Sequence, residues 1–208
     1  MHMEEFKFKR DPYSIIITGV GGQGNVLASR ILSNMIVRKG YYVTIGETFG
    51  ASQRGGSVTS HIRVSNKSAW SPQVPKGQAD LIAALEPLEA IRVLLSYGNQ
   101  KSKVITNSRP IYPLEVVSGE KNYPSLEEIK LAVKELSSKA WFMNATDEAL
   151  KLGYSILGNI IVIGALSGIG ELPIDREDFK EVISKSFAAD KVDLNLKAFD
   201  IGSKIVNQ

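Results

Sequence analysis

The chain has no cysteine among its 208 residues. Disulfides are therefore impossible, and any iron–sulfur cluster held by cysteine thiolates must belong to another chain. Histidine is nearly as scarce: His2 and His61 are too few and too far apart in sequence to suggest a zinc site. No apolar run reaches the length of a membrane span, and the opening MHMEEFKFKRDP lacks the apolar core of a signal peptide, so a cytoplasmic location is expected. Nor is there a dense basic run. Lys and Arg total 25 against 22 Asp and Glu, a formal net charge of +3, which argues against nucleic acid as the main partner and leaves local attraction for an anionic ligand. The composition, 43% hydrophobic and 23% charged, suits one domain over residues 1–208, with the first twelve residues expected to be flexible.

The stretch with most to say runs from Ser14 to Lys39. A β-branched run (Ile15, Ile16, Ile17) leads into Gly19-Val20-Gly21-Gly22-Gln23-Gly24, and an apolar-periodic segment (Val26, Leu27, Ile31, Leu32, Met35, Ile36) leaves it. The pattern predicts strand, tight turn and helix. Gly19, Gly21 and Gly24 fit G-x-G-x-x-G: the first for the turn, the second for backbone approach to a phosphate, the third for packing of helix on strand. The helix N-terminus would present unpaired N–H groups to an anion. A turn that merely packs helix on sheet is the plainer alternative.

Tyr41 to Ile45 reads as the second strand of a βαβ unit, which puts Glu47 where a dinucleotide-binding domain carries its ribose-binding acid. An NAD-binding oxidoreductase or sensor is therefore a live reading. Against it stands the loop from Thr48 to Gly56, which the dinucleotide pattern does not require. Its glycines free backbone N–H groups, and Arg54 adds a guanidinium, so it too could grip an anion.

Ser57 to Val64 alternates as a half-buried strand with His61 on its surface, and Ala79 to Leu85 reads as a central parallel strand. Glu86 and Glu89 follow at a strand end. Pro87 beside them suits a first helical turn, where acids complement the dipole, so a structural role is the better reading. Periodicity fails between Asn107 and Pro124, where Leu114 to Val117 could make a short edge strand; so long an irregular stretch points to function or to a covering partner. Ser125-x-x-Glu128 is a capping box opening a helix. Ile156 to Leu166 is apolar nearly all round, which places that helix in the core or at a subunit interface. Amphipathic helices are expected from Asp175 to Phe187 and from Val192 to Val206.

Taken together, the glycine run, Ser52-Gln53-Arg54-Gly55-Gly56-Ser57-Val58, Ser71-Pro72 and Ala79-Asp80-Leu81 resemble the gamma-type component of the 2-oxoacid:ferredoxin oxidoreductases. Asn107-Ser108-Arg109-Pro110, Tyr123-Pro124, Asn159 with Gly164-Ala165-Leu166, and Asn195 to Phe199 resemble the small subunit of the indolepyruvate type. Ala51 departs from the pattern, where the resemblance leads one to expect methionine. The resemblance implies a doubly wound, mostly parallel Rossmann-like α/β sheet with helices on both faces and a helical C-terminal part. It implies an accessory role in oxidative decarboxylation of aryl-2-oxoacids to acyl-CoA, with electrons passed to ferredoxin. Thiamine diphosphate and iron–sulfur clusters would sit in a large partner subunit, and the isolated chain could pair as a homodimer. Coenzyme A phosphates would lie near Gly19, Gly21, Gly22, Gln23 and Gly24 and near Ser52, Gln53, Arg54 and Gly55. The chain would not be active alone: it lacks thiolates and the G-D-G run by which thiamine-diphosphate enzymes hold magnesium and diphosphate.

Overall fold

A computed structural model describes residues 6–50 and 56–206. Among them six strands form one sheet in the order β2-β3-β1-β4-β5-β6. The strands are β1 (Tyr13–Val20), β2 (Tyr42–Phe49), β3 (Ser57–Ser65), β4 (Leu81–Ala84), β5 (Lys103–Asn107) and β6 (Lys139–Met143). From β1 to β6 the pairing is parallel throughout, whereas β3 runs antiparallel to both β1 and β2. The expected mostly parallel α/β sheet is present, with one correction. The crossover from β1 through α1 (Asn25–Arg38) to β2 exists, but β3 is wedged between its two strands.

Alternate residues of β1 divide the interior. Ile15 and Ile17 join the larger core with α1, α5 (Ala145–Lys151), α6 (Gly158–Gly168), α7 (Arg176–Ser186) and α8 (Ala189–Ile205). Ile16 faces the smaller core under α2 (Pro87–Tyr97) and α4 (Leu126–Leu136). Period-two alternation is what sends neighbours to opposite faces, and both faces are covered. The local stop and start signals act as written. Ser125 and Glu128 form their capping box at α4, and Asp175 with Asp178 forms another at α7. Leu114–Val117 corrects the expected edge strand: it is a single helical turn, α3, following Pro113.

Helix α6 resolves the choice between core and interface in favour of the core. Residues 158–166 are all buried, and α8 covers them with backbone close against backbone. A Cβ built on Gly202 would overlap the Ile161 carbonyl oxygen, and one on Gly164 would overlap that of Phe199. Phe179 of α7 stacks on Phe199 with ring centroids 4.5 Å apart. Ile161 is therefore unavailable to any partner.

Strand β3 also departs from expectation, because both its faces are buried. Ile62 and Val64 enter the larger core. The opposite face is roofed by the connection to β4: Arg63 donates to the Gln73 carbonyl (3.0 Å) and lies over the Trp70 ring, and the Val74 N–H donates to His61 Nδ1 (3.3 Å). His61 is thus 1% exposed rather than on the surface. With Nδ1 accepting, the proton sits on Nε2, and the ring meets Tyr97 edge to face at 4.9 Å. Burial pushes its pKa below the ordinary value of 6.5. The unfolded chain then takes up this proton at a higher pH than the folded chain. The stability is therefore fully present above pH 6.5 and falls as pH drops from there toward the folded value. Denaturant midpoints measured from pH 7.5 to pH 5 should show this decline, and His61→Phe should flatten it; an equal decline in both would assign it to other groups.

Candidate functional site

The C-terminal ends of β1, β4 and β5 open on one edge of the sheet, where ligands of open α/β sheets collect. The antiparallel hairpin of β2 and β3 opens there too. Val20 pairs with Ser57, the Gly50 N–H donates to the Ser57 carbonyl (2.7 Å), and the Gly21 N–H donates to the Gly56 carbonyl (2.9 Å). The reversed direction of β3 thus brings Gly50 and Gly56, which bracket the second glycine loop, beside the first. Ser52, Gln53, Arg54 and Gly55 lie outside the described residues.

Within the first turn the glycines take different roles from those their spacing suggests. Gly19 is still strand, where a Cβ would sit 2.6 Å from Gln23 Oε1 and 3.0 Å from Leu85 Cβ. The left-handed positions are Gly22 (φ 98) and Gly24 (φ 82), which only glycine fills without strain. Gly22 faces open space, while a Cβ on Gly24 would overlap Asn159 Nδ2. The Gln23 side chain is a staple: Oε1 accepts from the Val20 N–H and Nε2 donates to the Leu85 carbonyl, both at 2.8 Å. One of its two N–H donors and part of the acceptor capacity of its oxygen are used in this way. Gly24 is the N-cap of α1 and offers no side chain to its N–H groups, and the first turn carries no acid. That helix end is the anion-attracting feature of the site.

Two clefts flank the turn and share Gly21, Gly22 and Ile156 as their common wall. One, of about 340 Å³, is lined by Asn107, Arg109, Thr146, Ser155 and Asn159. Asn107 Nδ2 donates to Thr146 Oγ1 (2.9 Å) and to the Leu85 carbonyl (3.1 Å), and Arg109 pairs with Asp147 at 2.7 Å. The other, of about 600 Å³, is lined by Val26, Phe49, Val58 and the two bracketing glycines. The sequence singled out Asn107, Arg109 and Asn159 only as marks of resemblance, and Thr146 only as part of a helix. Their shared signal is position, at or just past the parallel strand ends or at a helix start.

Glu47, the alternative ribose ligand, lies in β2 opposite Ser60. Because β3 intervenes, its strand is two spacings from β1, about 10 Å, and the side-by-side β1–β2 arrangement of a dinucleotide fold is absent. Glu86 is the N-cap of α2, accepting from the Glu89 N–H (2.9 Å), the Ile111 N–H (3.3 Å) and the Tyr123 hydroxyl. Its role is structural, as expected of an acid at that position. Burial nonetheless pushes its carboxyl up from the ordinary range against those donors. Among the described residues no cluster of three metal-ligating side chains occurs, and no helix is long and apolar enough to cross a membrane.

Residues 14–205 match the family model described as pyruvate ferredoxin/flavodoxin oxidoreductase. The chain belongs to that family. Subunit IorB of the indolepyruvate oxidoreductase of Pyrococcus horikoshii is 42% identical over 197 residues, covering 94% of this chain and 96% of that one. The family fold recurs in pyruvate oxidoreductase subunit PORC of Thermotoga maritima, with a TM-score of 0.71 at 18% identity over 94% and 97% of the two chains. It recurs again in the 2-oxoglutarate:ferredoxin oxidoreductase of Magnetococcus marinus, solved with 2-oxoglutarate, coenzyme A and succinyl-CoA. There the TM-score is 0.73 at 20% identity, with 96% of this chain matched to 32% of that longer one.

Proposed function

We propose that this chain is the small subunit of an indolepyruvate-type 2-oxoacid:ferredoxin oxidoreductase, and that its two glycine loops position the phosphates of coenzyme A for acyl transfer in the assembled enzyme. The observation that carries the reading is the uncapped N-terminus of α1, opening on the 600 Å³ cleft behind a turn whose outer glycine faces open space. A dinucleotide turn alone would not need the second loop held to it by the Gly21 to Gly56 hydrogen bond. The identity to indolepyruvate oxidoreductase subunits supports the substrate class, aryl-2-oxoacids. The Magnetococcus enzyme, where the same fold is about a third of a chain bound to coenzyme A, supports both the ligand and the need for further protein.

Redox chemistry in this reading belongs to a large partner subunit carrying thiamine diphosphate and iron–sulfur clusters, with ferredoxin as electron acceptor. This chain's share is to bind and orient. The irregular stretch from Asn107 to Pro124, which exposes Ile111, Tyr112, Leu114 and Val117, is the surface on which the partner rests. Co-purification from a strain expressing the neighbouring genes, with the retained proteins identified, tests the assembly.

Ligand choice is tested by calorimetry on that complex. Coenzyme A should bind in preference to NAD, and Arg54→Ala should weaken it by about 1.5–3 kcal/mol, the worth of a hydrogen bond to a charged group. Preferential NAD binding, abolished by Glu47→Ala, would establish the dinucleotide reading instead.

A further inference from the structure

Glu89 is a carboxylate buried for no reason of its own helix. It stands three residues past the Glu86 cap of α2, where an acid usually reaches back to the N–H of the capping residue. Its oxygens are turned elsewhere. Oε2 accepts from the Ser57 hydroxyl at 2.6 Å, and Oε1 pairs with Arg92 at 3.1 Å, three residues along the helix. The Glu89 side chain is 4% exposed and that of Arg92 55%, so the arginine holds the charge from the solvent side and leaves the other oxygen to the serine. A charge-assisted bond to an acceptor so shielded from water is a strong one. Favouring the helix dipole would not require this burial.

Ser57 is a junction. It opens β3 directly after the second glycine loop. Its carbonyl accepts from the Gly50 N–H, and the Gly56 carbonyl beside it accepts from the Gly21 N–H. Gly21, Gly50 and Gly56 have no side chains with which to fix themselves, and glycine loses the most freedom on ordering. The Ser57 hydroxyl supplies the anchor that they lack. Glu89 itself lines neither of the two clefts beside the turn, whereas Gly21 lines both.

We infer that Glu89, held by Arg92, is a positioning residue for the ligand site: it fixes Ser57 and, through the Gly56 carbonyl, the Gly21 N–H and the wall that the two clefts share. The inference rests on the coenzyme A reading above for the identity of the ligand. It adds a residue outside both clefts on which the affinity depends.

The test compares wild type with Ser57→Ala, Ser57→Thr, Glu89→Ala and Glu89→Gln in the complex that the full chain co-purifies with. Amide hydrogen exchange at Gly21 and Gly50 should quicken about tenfold in Ser57→Ala and Glu89→Ala, the scale of one lost bond to a charged group. Ser57→Thr, which keeps the hydroxyl, should restore the wild-type rate, and Glu89→Gln, which keeps an uncharged acceptor, should fall between. Calorimetric titration should find coenzyme A bound about tenfold more weakly by both alanine variants. Because Ser57 borders the larger cleft, Glu89→Ala and Glu89→Gln separate positioning from lost contact. KM for the 2-oxoacid should stay at the wild-type value, a split that general loosening of the fold would not give. Unchanged exchange at Gly21, a matching rise in the oxoacid KM, or full coenzyme A affinity in Glu89→Ala would each overturn the inference and leave the coenzyme A reading intact. Absence of coenzyme A binding in wild type would defeat that reading, and the exchange rates would still decide whether Glu89 holds the turn.

Discussion

Gly202→Val should destabilise the fold by about 3 kcal/mol or more, at the upper end of what overpacking costs. At this crossing of α6 and α8 backbone meets backbone. The first atom of any side chain on Gly202 would overlap the Ile161 carbonyl oxygen and stand 2.9 Å from the Ala165 nitrogen. A flexible side chain could rotate away from an intruder; a helical carbonyl cannot move without its helix. The helices must separate, which strips contacts from Ile161, Ala165, Ala198 and Phe199, all within the larger core. Lys197→Val, at an exposed position of the same helix, should cost only the β-branched helix penalty of about 0.5 kcal/mol. Urea midpoints compare the two. A Gly202→Val midpoint matching that of Lys197→Val would mean that α6 and α8 do not touch as described.

Leu114→Asp combined with Val117→Asp should weaken capture of the large subunit by about 100-fold, the scale of losing two central apolar anchors. The two side chains are 79% and 71% exposed, with Tyr112 beside them at 55%. Apolar groups clustered on one short strap are what a partner covers. Because neither is buried in this chain, the double variant should keep the wild-type thermal midpoint. That separates loss of the partner from loss of the fold. Co-expression followed by quantitative recovery of the complex is the measurement, and undiminished recovery would locate the interface elsewhere.

What could be read from the sequence follows from how local its cause is. Ser125 with Glu128, and Asp175 at α7, act over three residues, and both caps form where the letters stand. The glycine turn between β1 and α1 is equally local. The position of β3 is not: its alternation is the same whether it lies at an edge or between β1 and β2, and only long-range pairing decides. The burial of His61 is non-local for the same reason, since its cover comes from Val74 in the following connection and from Tyr97 of α2. The four residues Leu114 to Val117, three of them apolar, satisfy either period, and the preceding proline, already set for a helix start, tips them to a helical turn. Gln23 closes hydrogen bonds to residues three and sixty-two positions away, and the second of these is visible only in the fold. Arg109 and Thr146 come from separate segments brought together by β5 and α5, and no single window of sequence contains the cleft they line.

Glu86 holds two things at once. Its carboxylate caps α2 and, through the Ile111 N–H and the Tyr123 hydroxyl, pins both ends of the exposed strap. The strap cannot lift while the carboxylate keeps all its partners, and α2 cannot unwind its first turn without loosening the strap. The surface proposed above for the partner is therefore only as persistent as this helix cap, and local unfolding at this corner of the molecule would remove both together.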